Sequence, residues 1–285
     1  MKKLIINADD FGLSQSVNRG IIECFQKGIV RSATLMPNMP GFQDAVRLAR
    51  ENSGLGIGAH LNIYRGKPVL SPDKIPSLVD KKGMFLASFA LMRRIYFGQV
   101  NPKEVEAELK AQIVKIKEAG ITITHLDSEK HFHALPVVAS VVANLAAYFN
   151  ISRVRLPRER WSPKRVIDLL SFQFYKMQYL ALRSNFLVAQ FRKHSIKFID
   201  NFYGILYSGK INLEEFLKLL ERLGLGNSEI MVHPGYVDEE LEHLAHDLNN
   251  YLLKTREEEL KILTHPLVQA KIQEQGIQLI NYQDL

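Results

Sequence analysis

Cysteine is nearly missing: Cys24 is the single one in 285 residues. A lone cysteine excludes an internal disulfide and any multi-cysteine zinc or iron–sulfur centre. Its setting, the helical pattern GIIECFQKG, fits a small buried hydrophobe better than a nucleophile. Long apolar runs are also missing. No stretch reaches the 18 or so uncharged residues of a membrane-spanning helix, and the apolar run in MKKLIINADDFG is too short for a secretory signal. A cytoplasmic protein is therefore expected. The DFG at 10–12 lacks both a glycine-rich phosphate loop and an HRD element, which removes a kinase. No repeat, low-complexity tract or recognised nucleic-acid module is present, so nucleic acid is not an expected partner. Acids are the minority charge, 30 against 37 lysines and arginines. The resulting net charge of +7 favours an anionic partner, be it a substrate or a membrane surface.

What is present is ordinary globular material, 46% hydrophobic and 24% charged. Short β-rich runs alternate with helical patterns. KLIINAD (3–9), VRSATLMP (30–37), LGIGAHLNI (55–63), ITITHLD (121–127), RVRLP (153–157), SEIMVHPG (228–235) and IQLINY (277–282) read as strands. The intervals between several of them, such as 14–27 and 102–120, read as helices. That order predicts an α/β fold with a mainly parallel sheet, closed or open, in one domain over 1–285. Two stretches stand out as insertions. Residues 64–101 are rich in Gly, Pro and Lys and suit a loop flanking a site. Residues 160–200 are helical in pattern, aromatic and basic (Lys164, Arg165, Lys176, Arg183, Arg192, Lys193). Such a segment suits a helical pair packed on the fold, or a surface for an anionic membrane or lipid-linked substrate.

Ligand-type side chains fall repeatedly at predicted strand ends, where parallel α/β folds gather their chemistry. Asp9 and Asp10 close the first strand. Neighbours on a regular strand point to opposite faces, so the two acids share a site only where the strand stops and the chain turns. His60 lies in the third strand and His233 precedes a Pro-Gly turn, a placement that suits a general acid or base. THLDSEKHFHALP (124–136) is densest, with His125, Asp127, Glu129, His131 and His133. On an extended segment Glu129, His131 and His133 would face one side. Imidazole with carboxylate suits zinc, and carboxylates suit magnesium or manganese. Left-over His and Asp residues can orient ligands from behind.

NADDFGLS with VNRGI, GAHLN, THLDSEKHFH, RLPRE (155–159) and HPG, in this order and spacing, together resemble the YdjC-like carbohydrate deacetylase family, which includes chitooligosaccharide and hopanoid-associated deacetylase-like proteins. The resemblance implies a distorted (β/α) barrel, TIM-barrel-like, and metal-dependent removal of an N-acetyl group from a sugar. It implies one divalent ion (Mg, Zn or Mn) held by Asp10, His60 and Glu129, with Asp9 as base and His233 as acid. The family motif carries a histidine where this chain has Glu129, which makes the donor set richer in oxygen and favours a harder ion. His131 stands as the reserve ligand, and His125, Asp127 and His133 as supports. Arg155, Arg158 and Glu159 are expected to bind sugar hydroxyls or position ligands. The expected partner is an N-acetylated sugar, with peripheral contact to an anionic membrane or lipid-linked substrate through 160–200 at the inner membrane face; a homodimer stays open. Alternatives that keep the metal are a phosphoesterase, a sugar isomerase, or a carbohydrate- or glycolipid-binding protein without turnover.

Overall fold

The computed structural model describes residues 1–159, 172–248 and 253–285. Among the described residues seven strands form one sheet: β1 Lys2–Phe11, β2 Ser32–Leu35, β3 Gly56–Leu61, β4 Ile123–Ser128, β5 Asn201–Tyr203, β6 Gly226–Val232 and β7 Ile277–Leu279. The order is β4-β3-β2-β1-β6-β5, and β7 joins the start of β1. Every pairing is parallel. Around the sheet lie α1 Gln15–Gln26, α2 Phe42–Glu51, α3 Ser88–Tyr96, α4 Pro102–Glu118, α5 Pro136–Tyr148, α6 Phe172–Lys193, α7 Leu213–Glu221, α8 Glu239–Leu248, α9 Arg256–Leu263 and α10 Pro266–Glu274.

The sheet curls into a half-barrel without closing into a full (β/α)8 barrel, which agrees with the expected distorted barrel but not with complete TIM-barrel closure. RVRLP is the reason. Instead of a strand it supplies only isolated bridges, Leu126 to Val154 and Arg153 to Lys197, between β4 and the chain leading to β5. β5, absent from the sequence-based set, is three residues long. The apolar runs of β1 and β6 are buried on both faces, as parallel strands covered by helices must be.

The helix after β1 starts where Ser14 accepts a hydrogen bond from the Val17 backbone. Its Gly20 lies against Gly235 of the HPG turn; a Cβ added at Gly20 would sit 2.6 Å from the Gly235 Cα. Gly20→Ala therefore must push α1 off the turn that follows His233. A loss of about 1–3 kcal/mol is expected, the usual cost of overpacking. An unchanged urea midpoint would show that the two backbones can separate freely.

The 64–101 stretch is more structured than a plain loop. It contains a 3₁₀ turn at Pro72–Lys74 and α3. Its entry is pinned by buried Glu108 of α4, whose carboxylate accepts the backbone N–H groups of Val69 and Leu70. Within 160–200, residues 160–171, including Lys164 and Arg165, lie outside the described residues; α6 covers the rest of its helical part. No described helix is long and apolar enough to cross a membrane.

Candidate metal and catalytic site

The two acids of NADDFG meet in one site, but the strand does not stop there. β1 runs on to Phe11 with an irregularity against β2 between Ala8 and Phe11, and Asp10 takes a positive φ of 69°. That left-handed residue inside a strand breaks the alternation of faces. Such a conformation is costly for a non-glycine residue and persists where the surroundings enforce it.

Asp10, His60 and Glu129 bring one donor atom each to within 4.8 Å of one another. The His60 Nε2 is 3.2 Å from Glu129 Oε2 and 3.8 Å from Asp10 Oδ1. Each of the three has its other polar atom anchored from behind. Arg256 pairs with Asp10 Oδ2. Asp127 Oδ1 is 2.8 Å from His60 Nδ1, which leaves Nε2 as the donor facing the site. The Tyr64 hydroxyl and Arg65 Nη2, the latter at 2.8 Å, hold Glu129 Oε1. All three donor residues are buried.

The electrostatics suit a cation. Burial works against a protonated His60, yet Asp127, Glu129 and Asp9 outweigh it and hold its pKa well above the usual imidazole value. A positive charge is thus wanted at the imidazole. Burial would neutralise Glu129, but Arg65, His60 and Tyr64 keep it ionised, well below the ordinary glutamate range. Two carboxylates and one imidazole form a mixed oxygen–nitrogen donor set of the kind that takes a divalent ion.

A second group, Asp9, His60 and Asp127, also has converging donor atoms, but a cation already sits there. Arg155 donates from Nη1 and Nη2 to the two Asp9 oxygens at 2.8 and 2.6 Å, pairs with Asp127 Oδ2 at 2.6 Å, and meets Glu229 through Nε at 2.9 Å. Burial favours the neutral acid at Asp9, but Arg155 overrides it, with help from His60 and His233, and holds the carboxylate well below its usual range. Asp9 is further fixed by Asn7 Nδ2, which donates to Oδ1 at 2.8 Å.

His233 sits just past β6 with 8% of its surface exposed. Its backbone N–H donates to buried Glu259 at 2.6 Å, and its carbonyl accepts from Arg256 at 3.4 Å. It lies close enough to Asp9 and Glu259 to interact with both.

Several expected roles are corrected. Glu129–Ala134 forms a 3₁₀ turn with positive φ at Lys130 and His131, so the Glu129-His131-His133 alternation does not exist. His131 turns onto Phe202, edge to face at 5.7 Å, and belongs to neither converging group among the described residues. His133 Nδ1 lies 2.7 Å from the Ser128 hydroxyl and its Nε2 3.0 Å from the Arg155 carbonyl; burial first, then Arg155, pushes it down to about 3. His125 lies flat on Tyr282, ring centroids 3.6 Å apart, and burial keeps it neutral. Arg155 is fully buried and saturated with carboxylates, so it cannot reach a sugar. Glu159, 2% exposed, accepts the backbone N–H groups of Ile205 and Leu206. Arg158 remains half-buried.

Removing the guanidinium should be severe. In Arg155→Met, the buried acids Asp9, Asp127 and Glu229 lose the cation they share, and a loss of about 3–5 kcal/mol is expected. Denaturant unfolding reads it directly; a shift below about 1 kcal/mol would mean that water reaches these acids.

Sequence reasoning missed Tyr64, Arg65, Glu229, Arg256 and Tyr282. Glu229 alone left a trace, as a lone acid in the apolar run SEIMV. Lys130, which lies over the Tyr64 ring at 4.5 Å, also escaped notice, and Lys176 of α6, expected only as part of a basic helical segment, is close enough to interact with Glu129 and Asp9.

A family profile described as "YdjC-like protein" matches residues 3–274. Among curated proteins, the carbohydrate deacetylase of Brevibacillus brevis is 37% identical over 284 residues, covering 99% of both chains. That of Thermoanaerobacter pseudethanolicus is 33% identical over 282 residues, covering 99% of this chain and 98% of its own. Among solved structures, an Enterococcus faecalis protein described as a cellobiose-phosphate cleavage protein superposes with a TM-score of 0.81. It is 30% identical and covers 99% of this chain and 98% of its own.

Proposed function

The chain belongs to the YdjC-like protein family, and from that premise we infer that it is a carbohydrate deacetylase, a hydrolase that removes an N-acetyl group from a sugar with the help of one divalent ion. One observation carries the metal dependence. Asp10, His60 and Glu129 bring one donor atom each to within 4.8 Å of one another, while Arg256, Asp127 and the Tyr64–Arg65 pair hold the other atoms. Zn, Mn and Mg all remain compatible with such a donor set. A bound ion of this kind acidifies water and polarises an amide carbonyl.

The protein side chains divide the remaining work. Asp9, kept ionised by Arg155, accepts the proton of the attacking water. Its depressed pKa makes it a weak base, so an ion held by Asp10, His60 and Glu129 would have to supply the acidity of the water. His233 gives a proton to the leaving amine. Asp127 fixes the His60 ring, and Tyr64 with Arg65 fix the Glu129 carboxylate.

Lys130 and Lys176 form a cationic rim near Glu129, and burial pushes Lys176 down to about 8. This rim suits an acetylated sugar that carries an anionic group. The Enterococcus faecalis relative, described by its action on a sugar phosphate, supports the same substrate class. A lipid-linked sugar is the second form this substrate takes in our reading. It is supported by α6, which exposes Phe172, Tyr175 and Leu182, carries Arg183, Arg192 and Lys193, and has no acid in its sequence.

Product identity is the test. Wild-type protein supplied with Zn, Mn or Mg and a panel of N-acetylated sugars, with and without a phosphate, should release acetate and one free amine per turnover. Release of inorganic phosphate, or an isomerised sugar with its acetyl group intact, would point to the other metal-dependent reactions. Tight sugar binding with no product would indicate a binding protein.

A further inference from the structure

Arg155 has more carboxylates than charge neutralisation requires. Asp9 and Asp127 alone outnumber its single positive charge, yet Glu229 of β6 is fully buried beside it as a third acid. A buried acid without an obvious electrostatic need costs stability and is best explained by what it positions.

The geometry states what that is. Glu229 Oε1 takes the Nε edge of the guanidinium at 2.9 Å and Nη2 at 2.7 Å. With the Nε edge fixed, the plane of the guanidinium is fixed, and its Nη1 and Nη2 atoms face the two oxygens of Asp9. The Phe202 ring covers the guanidinium, 5.6 Å from its carbon to the centroid.

The other Glu229 oxygen accepts the Tyr282 hydroxyl. Tyr282 is itself fully buried and lies stacked on His125 at an interplanar angle of 8°. Space for that stack exists because position 58 is glycine; a Cβ there would lie 2.3 Å from His125 Cε1. The segment bearing Tyr282 is tied down on several sides. Ile280 N–H donates to the Leu4 carbonyl at 3.0 Å, Arg153 donates to the Gln283 carbonyl at 2.8 Å, and Asn281 and Asp284 cap one another reciprocally.

We propose that Glu229 and Tyr282 are a positioning pair for the base: Tyr282 holds Glu229, Glu229 orients the Arg155 guanidinium, and Arg155 presents Asp9 to the substrate. This rests on the deacetylase reading, in which Asp9 takes the proton. Neither residue touches substrate, and neither belongs to the converging Asp10-His60-Glu129 group. Burial pushes Glu229 up to about 7 against the opposing pull of Arg155 and the Tyr282 hydrogen bond, with Asp9 adding to the rise. Arg155, Tyr282 and Asp9 face it from three different segments, and Asp127 joins through Arg155.

Tyr282→Phe, Glu229→Gln and the double variant test the proposal. In Tyr282→Phe, kcat for acetate release should fall about tenfold, the lower end for loss of an orienting partner, while KM and bound metal per chain stay within twofold of wild type. The acid limb of its pH–rate profile should move to higher pH, because the lost hydrogen bond favoured the ionised Glu229. Glu229→Gln should also lower kcat, and the double variant should be no worse than Glu229→Gln, since Tyr282 acts through Glu229. A kcat within twofold of wild type in both single variants, or losses that simply multiply in the double variant, would overturn the pair. Failure of wild type to release acetate from any sugar would refute the deacetylase reading itself. Crystal structures of the variants then decide the positioning claim without turnover: a displaced Arg155–Asp9 pair supports it, and an unmoved pair overturns it.

Discussion

Asp9→Asn is expected to lower kcat for acetate release by about 10³-fold, in the middle of the range for a positioned general base, while the chain still binds its divalent ion. The reasoning separates two roles that adjacent acids could share. Asp10 points a free oxygen at His60 Nε2 and Glu129, whereas both Asp9 oxygens are engaged by Arg155. An asparagine at position 9 keeps the shape and one acceptor for Arg155 but cannot take a proton. Metal content by elemental analysis should therefore match wild type as turnover collapses. If Asp9→Asn instead lost its metal, the second converging group, Asp9-His60-Asp127, would be the ion site and Arg155 would have to move aside. If it kept near-normal turnover, Asp9 would not be the base.

Glu129→Ala should weaken divalent-ion affinity by more than about 100-fold, since even residues that only orient a ligand contribute about 10–100-fold. Two effects add. One donor atom disappears, and Arg65, 5% exposed, is left without the carboxylate that balances it beside an incoming cation. The second effect makes a further expectation specific to this chain. Glu129→His restores a donor atom but not the charge, so it should bind metal worse than Glu129→His combined with Arg65→Gln. Calorimetric titration of the chelated proteins measures all of these. Equal affinities for the two histidine variants would mean that Arg65 does not feel the ion.

Much of this site could be read from the chain because its donors lie on or beside strands, and strand ends are legible. Asp9 and Asp10 at β1, His60 on β3, Asp127 and Glu129 at β4 and His233 at β6 all come from runs whose alternation with helices was visible. The mode of convergence was not. The acids share a site through a positive-φ residue within β1, and the chain from Glu129 to His133 folds as a tight turn at the end of β4 rather than continuing extended. No hydrophobic pattern encodes either event. Arg65, Arg256 and Tyr282 were invisible for another reason: each meets a carboxylate far along the chain, and side-chain partners 64, 246 or 53 residues apart leave no local signal. RLPRE shows the opposite limit. Its charged residues were expected to bind sugar hydroxyls or to position ligands, and burial turns Arg155 and Glu159 inward, onto Asp9 and onto the loop after β5.

The measurement that bears most directly on the central claim is acetate release from an N-acetylated sugar by chelator-stripped protein titrated with a divalent ion, wild type beside Glu129→Ala. Activity in wild type should rise linearly and saturate at one ion per chain, and Glu129→Ala should stay inactive at the same ion concentrations. Full activity of the stripped wild-type protein, or saturation of Glu129→Ala at the same single equivalent, would contradict a metal centre built on Asp10, His60 and Glu129.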